Sequence, residues 1–174
     1  MTGNFYQNSA ANTKSTGLTA TGGSGSDNLT GGTGNDTFKF SSSADSATTV
    51  ASNTTVTFDD VTDFTSASDK LQIDAVGSVD FGASASATVT ALAYENVADF
   101  SSLAAAIANV TASDSSTAQV YDVTLTGTGL AAAGVGHLVI VNNGDTTITS
   151  DDLMIELSGT SSASILSSDF DFIA

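Results

Sequence analysis

The sequence predicts a mainly β protein: a short parallel β-roll capped by a β-sheet or sandwich, with one short helix. Three observations carry that expectation. Two glycine-rich units of nine residues follow one another in phase from Gly22 to Lys39. Downstream, short runs rich in Val, Thr, Ile and Leu alternate apolar with polar residues, as half-buried strands do. Only residues 99–109 repeat their apolar positions at helical spacing. The expected organisation is a flexible N-terminal segment over 1–21, a roll over 22–50 and a β-rich C-terminal domain over 51–174.

The two units read GGSGSDNLT and GGTGNDTFK. Paired glycines stand at Gly22/Gly23 and Gly31/Gly32, a third at Gly25 and Gly34, carboxylates at Asp27 and Asp36, and apolar residues at Leu29 and Phe38. Glycine lets the backbone turn through positive φ and gather carbonyl oxygens, and the carboxylate adds charge. Together they make the all-oxygen environment that a hard cation such as Ca²⁺ prefers. The apolar residue then points inward, so stacked units bury a column of Leu and Phe on short strands. The next block, Phe40 to Thr48, keeps an aspartate at the sixth position, Asp45, but has no glycine. The block before Gly22, TKSTGLTAT, keeps neither feature well.

This nonapeptide pattern resembles the calcium-binding repeat of the RTX (repeats-in-toxin) family. The resemblance implies that one full coil takes two units, so that a site joins units two apart, pairing Asp27 with the segment around Asp45. The glycines and aspartates of both units are the candidate metal residues.

Composition agrees with a cation-dependent protein. Lysine and arginine total 3 against 19 acidic residues, a net charge of −16. Such a field repels nucleic acid and anionic lipid, and divalent cations that neutralise carboxylate clusters favour compaction. There is no cysteine, hence no disulfide framework and no thiolate chemistry. No run approaches the roughly 20 apolar residues of a membrane span. The opening MTGNFYQNSAANTK has neither the basic nor the apolar part of a secretory signal.

In chain order, the polar stretch over residues 1–21 reads as a flexible lead or an imperfect first coil. After the repeats come a β-branched run, Asn53 to Phe58, then Asp59-Asp60-Val61-Thr62-Asp63-Phe64, then Asp69-Lys70-Leu71-Gln72-Ile73. This succession resembles the region that follows the repeats in serralysin-type protease C-terminal domains and RTX surface-layer proteins. That resemblance implies that Asp59 and Asp63 are calcium ligands or turn caps. Val89 to Tyr94 suits a strand, and Asp99 to Asn109 a short core helix with Asp or Ser as its N-cap and Phe100, Leu103 and Ile107 on one face. Strands are expected around Tyr121–Leu125, Leu138–Val141 and Leu153–Leu157, with a turn at Asn142-Asn143-Gly144-Asp145. Asp145, Asp151 and Asp152 fit a solvated loop better than a cation site, because their spacing matches no calcium loop.

The chain ends SSDFDFIA. This tail resembles the uncleaved C-terminal signal of type I secretion substrates; read from the residues alone, it is equally a closing β-strand.

Catalysis is not expected. His137 is the sole histidine, and Cys, Trp and Arg are absent, as are GxSxG and HExxH motifs. A haem site using His137 with Tyr6, Tyr94 or Tyr121 is formally open. The resemblances imply a bacterial extracellular protein, secreted or at the cell surface, with calcium ions and type I secretion machinery as partners and without nucleic-acid binding or membrane insertion. Two functions follow. One is a secreted calcium-binding structural protein that self-assembles as a homo-oligomer or polymer into a surface layer, filament or matrix. The alternative is the C-terminal secretion and folding module of a larger RTX protease, toxin or adhesin.

Overall fold

The computed structural model describes residues 17–46, 49–51, 55–76, 79–80, 88–93, 119–125, 136–142, 152–158 and 165–173. The strands, in chain order, are β1 (Thr19–Ala20), β2 (Asn28–Leu29), β3 (Thr37–Phe40), β4 (Thr49–Ala51), β5 (Thr55–Thr57), β6 (Asp59–Val61) and β7 (Lys70–Ile73), then β8 (Ala75–Val76), β9 (Val79–Asp80), β10 (Thr88–Ala93), β11 (Gln119–Leu125), β12 (Gly136–Val141), β13 (Leu153–Leu157) and β14 (Phe170–Phe172). The protein is mainly β, and the helical segments among the described residues are two 3-10 turns, Ser43–Ser46 and Ser167–Asp169. The expected helix at 99–109 lies outside the described residues, as do Asn143 to Asp151 of the expected turn and acidic loop.

Two sheets face each other. The first has the order β1-β3-β7-β14, and every pairing in it is parallel. In the second, β2, β6 and β13 are parallel neighbours. That sheet continues through β12 and β11, each antiparallel to the strand before, and ends at β10, which is parallel to β11. Short hairpins, β4–β5 and β8–β9, stand apart from both.

Followed along the chain, β1, β2, β3, β6, β7, β13 and β14 alternate between the sheets, which is a parallel roll. Coil length records what was inserted between its strands. From Leu18 to Asp36 one coil spans 18 residues, as two nonapeptides should. The next spans 32 from Asp27 to Asp59 and 33 from Asp36 to Asp69. The roll therefore begins before Gly22 and runs on past residue 50. Its last strand, β14, comes from the DFDF tail and lies parallel on β7 with Phe170 opposite Leu71.

Glycine shapes the turns where the repeats supply it. Gly23, Gly25, Gly32 and Gly34 have φ of 91°, 132°, 98° and 134°. The turn between β6 and β7 has no glycine, and Ala67 takes the left-handed conformation there with φ 67°. That conformation costs an L-residue about 1–2 kcal/mol. Ala67 is exposed, so little packing is lost with its methyl. Ala67→Gly should stabilise the protein by up to about 1 kcal/mol in urea unfolding, after the greater freedom of glycine in the unfolded chain is subtracted. A loss of stability would contradict this turn geometry.

The core fills the roll. Phe38, Phe40, Leu71 and Ile73 from the first sheet and Leu29, Val61, Ile155 and Leu157 from the second are fully buried and belong to one cluster. Phe64, on the turn after β6, meets Phe38 with ring centroids 6.2 Å apart. Strand β12 is buried on both faces. Val139 and Val141 join the roll core, whereas Leu138 and Ile140, alternating with them, are equally buried on the other side.

Candidate metal centre

From β1 to β7 the residue at the start of each roll strand stacks on its counterpart one coil away, and apart from Leu18 that residue is an aspartate. Asp27 stands before β2, and Asp59 takes the same place on β6, in register one strand over. On the other edge Leu18, Asp36 and Asp69 stack before β1, β3 and β7. The later carboxylate accepts the earlier backbone N–H each time. Asp36 Oδ1 accepts from Leu18 N at 2.7 Å, Asp59 Oδ1 from Asp27 N at 2.8 Å, and Asp69 Oδ1 from Asp36 N at 2.9 Å. Charge-assisted bonds of this kind tie coil to coil where the strands are only two to four residues long.

One oxygen of Asp36, Asp59 and Asp69 is thus committed, and the fate of the other separates Asp69 from Asp59. Asp69 Oδ2 accepts Thr65 N at 2.8 Å, so both its oxygens are held by backbone. Asp27 Oδ2 and Asp59 Oδ2 are buried without any hydrogen-bond partner. They flank one glycine: a Cβ built on Gly22 would stand 2.9 Å from Asp27 Oδ2 and 3.1 Å from Asp59 Oδ2. Gly31 holds the matching place in the second unit, 2.6 Å from Asp36 Oδ2 by the same construction. The first glycine of each unit is therefore required by the approach of carboxylate oxygens.

The electrostatics at Asp59 are unfavourable to a bare pair of anions. Burial pushes its carboxyl up to about 8, with the charges of Asp27 and Asp45 adding to the rise against the bond from Asp27 N. Burial also raises the Asp27 carboxyl. Two buried, unpartnered carboxylate oxygens on a turn that excludes a Cβ fit an oxygen-seeking cation, which supplies the missing partner and reverses the electrostatic cost. Among the described residues no three His, Cys, Asp or Glu side chains converge on a metal-sized site. A cation here would meet carboxylates in pairs, Asp27 with Asp59.

The other sequence candidates are placed as follows. Asp45 lies in the 3-10 turn, accepting from Ser41 N at 2.6 Å and Ser42 Oγ at 3.2 Å, and reaches Asp59 through its charge. Because Phe40 to Thr48 has no glycine for a tight turn, the chain makes an excursion before β6. The register place opposite Asp27 then falls to Asp59. Ser46 anchors that excursion: its Oγ accepts Asp59 N at 2.8 Å and donates to the Met154 carbonyl. Asp63 stacks on the first glycine of the second unit, its two oxygens accepting Gly31 N at 2.9 Å and Gly32 N at 2.7 Å.

Two residues outside the repeat pattern prove structural. Asp69 was legible only as the acid before a strand, and Asp169 only as part of the tail. Asp169 accepts Ala67 N at 2.9 Å, Ser66 Oγ at 2.6 Å and Leu166 N at 2.9 Å, which clamps the strained turn to the last coil. His137 is buried on β12, with Nδ1 2.8 Å from Asp122 Oδ1 on β11. Tyr121 alternates onto the opposite face of that sheet, which separates it from His137 as a haem partner.

A parallel roll with glycine turns and aspartates stacked in register has the architecture of an RTX-type repeat region. The family model described as Peptidase M10 serralysin C terminal matches residues 2–135, and the chain belongs to that family. The match is to the C-terminal region, not to the protease domain. No curated protein matches the chain.

Proposed function

We propose that this chain is a secreted, RTX-type calcium-binding module whose folding is coupled to the ion. The unpartnered pair of buried oxygens, Asp27 Oδ2 and Asp59 Oδ2 beside Gly22, is the observation that carries the reading. Bound calcium would supply positive charge between these carboxylates. Gly22, Gly23 and Gly25 shape the turn around them, and Gly31, Gly32, Gly34 and Asp36 form its counterpart on the opposite edge. Asp45 adds negative charge near Asp59, and Asp63 closes the second glycine pair onto the next coil. A ligand that binds only the folded state stabilises it by mass action. With a net charge of −16 opposing compaction, that increment sets whether the roll forms. No helix among the described residues is long and apolar enough to cross a membrane, and family membership supports a role outside the cell.

A calcium titration followed by far-UV circular dichroism and light scattering tests this. Gain of β signal at constant particle size is the expected result and matches the folding module of a larger exoprotein. Growth in particle size would support the self-assembling surface layer, filament or matrix instead. An unchanged β signal would contradict calcium-coupled folding.

The reading also fixes a pH dependence. Asp59 at about 8 and Glu156 at about 7 bind protons more tightly folded than unfolded, since both carboxyls are raised by burial. Their stabilisation is complete below the unfolded carboxylate range near 4 and is lost as pH rises to about 8. In chelator the melting temperature should therefore fall between pH 5 and about pH 8.5. In saturating calcium the part of the fall due to Asp59 should be removed, because the ion replaces the proton there, leaving the smaller part due to Glu156. Parallel curves would contradict the assignment.

A further inference from the structure

A second pair of carboxylates lies on the face of the second sheet opposite the core, one residue along the strands from the Asp27 and Asp59 pair. Glu156 on β13 stands directly opposite Asp60 on β6, and Asp60 directly opposite Asn28 on β2. The three form one row across neighbouring parallel strands, about 4.8 Å apart. Leu29 and Val61 are buried toward the core, so Asn28 and Asp60 point outward by alternation. Burial grades along the row: Asn28 is exposed, Asp60 half-buried and Glu156 only 9% exposed. Asp60 Oδ1 accepts Ser158 N at 3.3 Å. Glu156 Oε1 is buried and has no hydrogen-bond partner. The described lysines, Lys39 and Lys70, both belong to the first sheet.

A buried glutamate next to an aspartate costs stability when both are charged, unless a proton or a cation offsets the charge. We propose that Asn28, Asp60 and Glu156 form a second divalent-cation site, on the strand face of the roll and independent of the glycine-turn site. The strand spacing suits an ion held at calcium–oxygen distances of roughly 2.3–2.6 Å between neighbouring carboxylates. Asn28 contributes a neutral amide oxygen at the solvent end, where water completes the shell. The ion would bind across β2, β6 and β13, joining three successive coils whose strands are far apart in sequence.

Equilibrium dialysis against calcium, with bound ions counted per folded chain, tests the proposal. Glu156→Gln should bind one ion fewer than wild type while keeping the site that Asp27→Asn removes. Asn28→Asp, which adds a third carboxylate at the exposed end, should tighten the same site at least about tenfold. An unchanged ion count in Glu156→Gln, with Asp27→Asn still losing its ion, would overturn the strand-face site and leave the turn site standing. No loss in either variant would overturn both. An unchanged affinity in Asn28→Asp would also count against the proposal, and it does not depend on how Glu156→Gln folds.

Discussion

Asp59→Asn is expected to weaken calcium binding by about two orders of magnitude or more, because it removes a charged ligand from a site with only one other carboxylate opposite. In chelator the same variant should be more stable than wild type above neutral pH. Asparagine keeps an oxygen that can accept Asp27 N, and its amide can donate to Asp27 Oδ2, which has no partner in the wild-type chain. It also removes the charge whose burial is costly. The two effects have opposite signs. A residue that merely capped a turn would lose stability in both conditions, so urea unfolding with and without calcium separates a ligand from a cap. Asp63, with both oxygens on backbone amides, is the contrasting case: Asp63→Asn should cost stability with little dependence on calcium.

Phe38→Ala should cost about 3–5 kcal/mol, the range for deleting a fully buried aromatic ring. Phe38 sits in the middle of the stack, with Ala20 opposite on β1, Leu71 opposite on β7 and Phe64 against its ring. It is fully buried. The short strands of the roll have little ladder energy to offset such a cavity. The variant is therefore expected to need more calcium than wild type to fold, seen as a circular dichroism midpoint moved to higher calcium. A midpoint unchanged by the substitution would separate packing from ion binding and contradict coupled folding.

The first coil was legible because each special position has one physical reason. Gly22 must lack a Cβ beside Asp27, Gly23 and Gly25 must reach positive φ, and Leu29 must face inward. Later coils use different residues for the same geometry. Ala67 occupies a turn conformation that glycine would fill, and Asp63 stands where the repeat has its first glycine. The nonapeptide period is lost once excursions enter, so counting nine residues at a time leads from Asp27 to Asp45, whereas the register leads to Asp59. The strand before Gly22 was hidden because TKSTGLTAT has no aspartate to show. Leu18 takes that position and is tied through its backbone, its N–H to Asp36 and its carbonyl to Thr37 N. The tail was legible as a closing β-strand, but its partner was not, since pairing between β14 and β7 joins residues 99 apart. Local pattern carries no information about such long-range register.

The most direct test of the account is a crystal structure grown in calcium, with anomalous scattering used to place the ions. The expected result is a calcium peak between Asp27 and Asp59, roughly 2.3–2.6 Å from the Oδ2 atom of each. Water at that position, or carboxylates turned away from one another with the roll intact, would contradict the assignment of these residues as the ion's ligands.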